Sequence, residues 1–258
     1  MALASLSADV TDLAAELGTL CAMRAPWQAA LVSRIGACAA ALWPGQVGTM
    51  AVFGSVAAGL ALPESDIDLA ITLIPAMAAR AGATDAATLP AAAQCVAHLA
   101  NAICAQGWAG DVTPVERAAV PCLRMAVPLV VPPAPNDGED GDGDGDGDGD
   151  GGGWGDGGGT VARARMCDGF RLLADVSFTH GCAHCGEEAT RIALELQAEL
   201  PVLRPIALVL RQCLARHGVV GGNGGGLSAH ALMLICATIL RAGTVSYTHL
   251  TLPTKRIV

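Results

Sequence analysis

The segment Ala51 to Ile71, AVFGSVAAGLALPESDIDLAI, constrains this chain more than any other. An apolar run, Val47 to Phe53, ends at Gly54-Ser55, and after ten further residues Asp66 and Asp68 bracket Ile67 at the start of a second apolar run. Both runs read as strands. Side chains alternate along a strand, so the two carboxylates share one face while Ile67 points into a core. Such a pair suits a hard divalent cation such as Mg²⁺, which takes oxygen ligands from a few carboxylates and from substrate phosphates. A further strand is expected at Arg171 to Phe178, where Leu172, Ala174, Val176 and Phe178 can face the core and leave Asp175 opposite, beside Leu173 and Ser177. Three carboxylates facing one another repel strongly, and two bound metals would relieve that repulsion.

Gly54 permits close backbone approach. Free N–H groups together with the Ser55 hydroxyl can hold a phosphate next to the metals. Each piece has a plainer reading: a lone DxD is usually a solvated strand end, and a lone Gly-Ser a turn. The ordered set of strand, Gly-Ser, Asp-Ile-Asp and a later strand-borne Asp favours the chemical one.

The remaining pattern mixes strands with helices and predicts an α/β or α+β catalytic part. A helix is expected from Pro26 to the stop at Pro44-Gly45, with Trp27, Leu31, Ile35, Cys38 and Leu42 on one side. Another covers Ala91 to Gln106, and a strand covers Ala118 to Met125. From Glu187 onward the pattern is helical: Glu188 to Leu200, Arg204 to Arg216, a glycine loop at Gly221 to Gly226, and Ser228 to Arg241. Pro132 to Gly159 holds almost nothing apolar and is expected to be a disordered acidic insertion. A calcium loop starting at Asp142 would need a Glu where Gly153 stands.

The net charge of -9 comes from that insertion. Nine of the 24 acids lie between residues 137 and 156, and the other 15 match the 15 Lys and Arg. A neutral remainder gives no general phosphate attraction, so local basic patches or an RNA-binding partner protein must supply it. No membrane span is expected, since Leu227 to Leu240 is short and interrupted. Asp9, Asp12 and Glu16, with no base before Arg24, match neither a secretory nor a transit peptide. The ten cysteines read as reduced, small apolar packers, and Cys182-Ala-His-Cys185 with His180 and His184 as a plain loop rather than half a zinc site. Residues 245 to 258 contain the only Tyr and the only Lys, Tyr247 and Lys255, and read as a non-native tail.

The wider pattern resembles the DNA polymerase β-like nucleotidyltransferase superfamily, in its noncanonical poly(A) polymerase branch, which includes the TRAMP-complex enzymes. The resemblance runs through Leu42-Trp43-Pro44, Val52-Phe53-Gly54-Ser55, Gly59-Leu60, Leu62-Pro63 and Ser65-Asp66-Ile67-Asp68-Leu69. It continues in Ala119-Val120-Pro121, Ala174 to Phe178, Pro201 to Pro205, Val209 to Arg211, Gly225 to Ser228 and Ala231 to Met233.

This resemblance implies an α+β fold: a mixed-sheet catalytic domain at 26–186, carrying the 132–159 insertion, and a partial all-helical central domain from 1–25 and 187–243. It implies Asp66, Asp68 and Asp175 as ligands of two Mg²⁺ or Mn²⁺ ions, with Gly54 and Ser55 on the triphosphate. Arg211 falls where relatives place a phosphate-binding Lys; a solvated helix face is its plain alternative. Ser228 opens a segment in which relatives stack an aromatic ring on the incoming base, and here Ala229 and His230 follow it. The implied activity is template-independent addition of AMP from ATP to an RNA 3′ end, in the nucleus or alternatively the cytoplasm. Uridylyl transfer, modification of small molecules or proteins, and an inactive fragment or scaffold are the alternatives. The helical portion is expected to continue past the sequence given.

Overall fold

The computed structural model describes residues 2–74, 90–128, 171–180, 184–220 and 226–250. Helix α1 (Ala2–Ala22) is followed by α2 (Ala25–Leu42), whose Pro26 sits in the first turn, where no intrahelical N–H is lost. Leu31, Ile35, Cys38 and Ala39 form its buried stripe. Strand β1 (Val47–Phe53) runs into the single turn α3 (Gly54–Ala57), and β2 (Ile67–Leu73) follows. Helix α4 (Ala92–Gln106) ends at Gly107, whose φ of 67° is the left-handed conformation that closes helices. Then come β3 (Asp111–Val115), β4 (Cys122–Pro128) and β5 (Arg171–His180). Helices α5 (Cys185–Glu199), α6 (Leu203–Arg216) and α7 (Ala229–Leu250) are the last of the described elements.

The five strands form one mixed sheet in the order β1-β2-β5-β4-β3. Strand β5 lies parallel to β2 and antiparallel to β4, so a late segment occupies the middle of the sheet. One core packs α2 and α4 against the strands, through Ile35, Leu69, Ile71, Leu99, Ile103 and Val176 among others. A second joins α1 to α5, α6 and α7 and to the turn after α3, through Leu17, Leu60, Leu62, Leu203, Leu208 and Met233.

The α+β architecture agrees with the expectation, and β2 occupies the expected residues. Several elements differ from the expectation. Strand β3 falls where no element was expected; its Pro114 lies on an edge strand, where proline is tolerated. The strand expected at Ala118 to Met125 is shifted to Cys122–Pro128. The last helix does not end at Arg241 but has a helical backbone to Leu250, across part of the segment read as a non-native tail. The acidic tract 132–159, residues 221–225, Cys182 and residues 251–258 lie outside the described residues. Of the cysteines, Cys38, Cys95 and Cys236 are buried as expected, whereas Cys104, Cys185 and Cys213 are exposed. Among the described residues no helix is long and apolar enough to cross a membrane.

Candidate functional site

Strand β2 starts from a turn that fixes Asp66. The buried Ser65 hydroxyl accepts the N–H of Leu62 at 2.9 Å, and the Ser65 N–H donates to the Leu62 carbonyl at 2.9 Å. Asp68 then stands between neighbours on both sides: Phe53 is its partner on β1 and Asp175 its partner on β5. Alternation does the rest. Ile67, Leu69, Ala174 and Val176 are buried in or against the sheet core, while Asp66, Asp68 and Asp175 are half-buried. Their ligand oxygens all lie within 4.8 Å of one another.

Three carboxylates at that spacing are costly without a cation. Burial, then the charges of Asp66 and Asp175, push the Asp68 carboxyl up to about 7, against a smaller opposing pull from Arg211. Asp175 is also pushed up, chiefly by burial, although Arg124 pulls the other way. An all-oxygen donor set with a carboxylate that resists ionising in the absence of a cation fits a hard divalent ion.

Gly54 abuts this site. Its φ is 70°, and a Cβ placed there would stand 2.0 Å from Asp68 Oδ2. Only glycine lets the backbone pass so close to the carboxylate. Its N–H is not available to a phosphate, contrary to the sequence expectation, because it donates to Thr190 Oγ1 at 2.9 Å; that hydroxyl in turn donates to the Gly186 carbonyl at 2.8 Å. Gly54 therefore serves by its shape. Ser55 is buried, and its Oγ has no hydrogen-bond partner.

A cavity of about 440 Å³ opens over these residues, walled by the strands on one side and by α5, α6 and the start of α7 on the other. Arg211 lines it and is 8% exposed, which removes the solvated-face alternative for this residue. Its guanidinium donates to the Leu60 carbonyl, and its Nε is buried without a partner. Burial lowers its pKa, opposed by the charges of Asp66, Glu64 and Asp68. His230 also lines the cavity with an unpartnered buried Nδ1. Ser228 lines it too, but its hydroxyl accepts the Ala231 N–H at 3.1 Å and so caps α7. Ser55, Arg211 and His230 thus bring three unpaired polar atoms into one cavity, and buried polar groups without partners call for a ligand.

Two lining residues escaped the sequence reading. Thr190 anchors Gly54 from α5, and Arg124 is the cross-strand partner of Asp175, with Nε donating to Oδ2 at 3.4 Å. An arginine inside the apolar run Cys122–Pro128 is the available signal for Arg124; Thr190 carries none. The Cys182–Cys185 segment, expected as a plain loop, is described from His184 on, and Cys185 opens α5. His184 accepts the Gly186 N–H at Nδ1, 3.0 Å away, and its Nε2 lies 3.2 Å from the Ser177 hydroxyl, so both ring nitrogens are used in capping α5 and joining it to the sheet. Burial lowers its pKa, in keeping with a neutral ring.

Residues 33–124 match the nucleotidyltransferase domain family. Among solved structures, the polymerase core of TRAMP, an RNA surveillance complex, is similar with a TM-score of 0.53 at 19% identity, over 84% of this chain and 49% of that one. The Cid1 poly(U) polymerase with bound 3′-dATP gives 0.54 at 14% identity, over 89% and 53%. The structure of mtPAP in complex with UTP gives 0.54 at 13%, over 80% and 36%. The chain spans about half the length of the first two. No curated protein matches it in sequence.

Proposed function

We propose that the chain is a nucleotidyltransferase of the polymerase β-like superfamily and that it adds nucleotides to RNA 3′ ends without a template, taking AMP from ATP. The observation that carries this reading is one cavity that holds three converging carboxylates, the unpaired Ser55 hydroxyl beside them and unpaired Arg211 and His230 atoms on the helical wall. Asp66, Asp68 and Asp175 would hold two Mg²⁺ or Mn²⁺ ions, which when bound supply charge neutralisation to the phosphates and Lewis-acid stabilisation at the reacting one.

The chain's own groups do the rest. Ser55 Oγ and the Arg211 guanidinium bind the triphosphate, and they hold its α-phosphorus in line with the RNA 3′ oxygen. That oxygen bonds to the α-phosphorus, the α–β bridge breaks, and pyrophosphate leaves. Asp175, at the side of the cavity nearest Arg124, accepts the proton of the attacking hydroxyl. His230 offers a flat ring for the base, with less area than a larger aromatic would give. Helices α5 to α7 support a polymeric or nucleotide substrate over the small-molecule alternative, because they wall the cavity opposite the triad.

Asp68→Ala should abolish Mg²⁺-dependent incorporation of labelled ATP into an RNA oligonucleotide while circular dichroism stays unchanged; undiminished incorporation would refute the assignment. Uridylyl transfer is the second reading, favoured by the likeness to Cid1. Incorporation of ATP and UTP measured side by side decides between them. We place the activity in the nucleus, on the resemblance to TRAMP-type enzymes, with the cytoplasm as alternative; cell fractionation tests this.

A further inference from the structure

The cavity is lined by two arginines among the described residues, and they are held in different ways. Arg211 is buried and tied to the Leu60 carbonyl. Arg124 stands across from it on β4, with a side chain 40% exposed, and reaches Asp175 Oδ2 through a contact of 3.4 Å. That contact is long for a charge-assisted bond. It is also made to an atom of the cluster whose geometry asks for a cation.

A carboxylate oxygen cannot satisfy a divalent ion and a guanidinium together, and like charges at this separation repel. An ion entering the triad therefore displaces the Arg124 charge from Asp175. The fork stays in the cavity, because its Cα is fixed in the β4–β5 ladder, where Arg124 and Asp175 are register partners. It then needs another anion. The triphosphate is served from the Asp68 side of the cavity by Ser55, which follows Gly54, and from the helical wall by Arg211. What approaches from the Asp175 side is the strand that brings the attacking hydroxyl, and that strand carries phosphodiesters, which an arginine fork recognises bidentately.

We propose that Arg124 is an exchangeable counter-ion: it neutralises Asp175 while the triad is free of metal and passes to a backbone phosphate of the acceptor strand once the ion is bound. Cation binding and acceptor binding are thereby coupled. This rests on the nucleotidyl-transfer reading for the identity of the acceptor, but the competition for Asp175 does not.

The test uses the full chain at pH 8, above the Asp68 midpoint, with Arg124→Gln and Arg124→Lys. Calorimetric titration with MgCl₂ alone should show the Gln variant binding roughly two- to fivefold tighter than the parent, the size expected for loss of a half-exposed ion-pair competitor. Fluorescence anisotropy of a labelled, unstructured RNA oligonucleotide should show Mg²⁺ strengthening binding to the parent and failing to do so for Arg124→Gln. The Lys variant keeps the charge without the fork and should retain the Mg²⁺ response in reduced form, which separates loss of the fork from a folding defect. ATP affinity should be unchanged in both. Magnesium binding no tighter in Arg124→Gln, a full Mg²⁺ response of RNA binding in that variant, or weakened ATP binding in its place would overturn the proposal. Because the MgCl₂ titration needs no nucleotide, a parent protein that transfers nothing would sink the functional reading without disturbing the competition measurement.

Discussion

Around the strands, the interior is made of large branched side chains: Ile67, Leu69, Ile71, Leu73, Leu99, Ile103 and Leu123 are all essentially inaccessible. Across the cavity, α1, α5, α6 and α7 meet over a mixture, with Leu203, Leu208 and Met233 set among a larger share of small side chains such as Ala14, Ala58, Ala193, Ala207 and Ala237. Leu234, Ile235 and Ile239 on α7 remain exposed. The difference has a physical consequence. Ladder hydrogen bonds and tight packing fix the carboxylate wall, so its spacing is set by the backbone. Arg211 and His230 are placed by packing between helices, and we expect this wall to yield more readily than the ladder as a substrate enters. The carboxylate side should therefore control rate and the helical side affinity.

The strongest way to break that comparison is Gly54→Ala. The added methyl would collide with Asp68 in a backbone conformation that alanine resists. Turnover in a nucleotide-incorporation assay should fall by about a hundredfold or more, as expected for misplacing a reacting group by an ångström. A smaller loss would show that the strand wall yields as readily as the helical one.

Next come paired core truncations. Leu69→Ala should cost roughly 3–5 kcal/mol and Leu232→Ala roughly 2–3 kcal/mol in denaturant unfolding, because a rigid sheet relaxes less around a cavity. Equal losses would erase the distinction between the cores. Arg211→Ala should raise the KM for ATP about tenfold with little change in kcat, the signature of lost ground-state binding. A fall in kcat alone would move Arg211 to the chemical side.

The smallest effect is in pH. Asp68 has a folded pKa near 7, above its unfolded value, so its favourable contribution is complete below about pH 4 and is lost as pH rises through 7. Without metal, the melting temperature of the parent should drop relative to Asp68→Asn across that window, by about 2–4 °C per kcal/mol. MgCl₂ should restore it at the upper end. Parallel melting curves for the two proteins would remove the electrostatic strain assigned to the triad.

Much of the carboxylate wall was legible because strand alternation is a strict rule. Asp66 and Asp68 sit two apart in an apolar run, and that spacing alone puts them on one face; Asp175 follows from the same pattern in β5. The helical wall was harder to read. Nothing local tells that Arg211 is buried or that Thr190 takes the Gly54 N–H, since both depend on which helix packs on which loop. Arg124 fell between the two: its strand was found with a shifted boundary, but its pairing with Asp175 is a matter of register between segments far apart in the chain. Strand β3 is five residues long and contains Pro114, so it carries little local strand signal, and only its place at the sheet edge accommodates the proline.

The sheet order carries a last implication for how such a molecule comes into being. Strands β1 and β2 form one antiparallel pair and β3 and β4 another, and β5, which follows the other four in the chain, inserts between them. Isolated two-stranded ribbons are barely stable in water. Closing the sheet and delivering Asp175 are hence one event, so a nascent chain should hold no half-built catalyst: a fragment ending before Arg171 should neither fold cooperatively nor take up Mg²⁺ in a calorimeter.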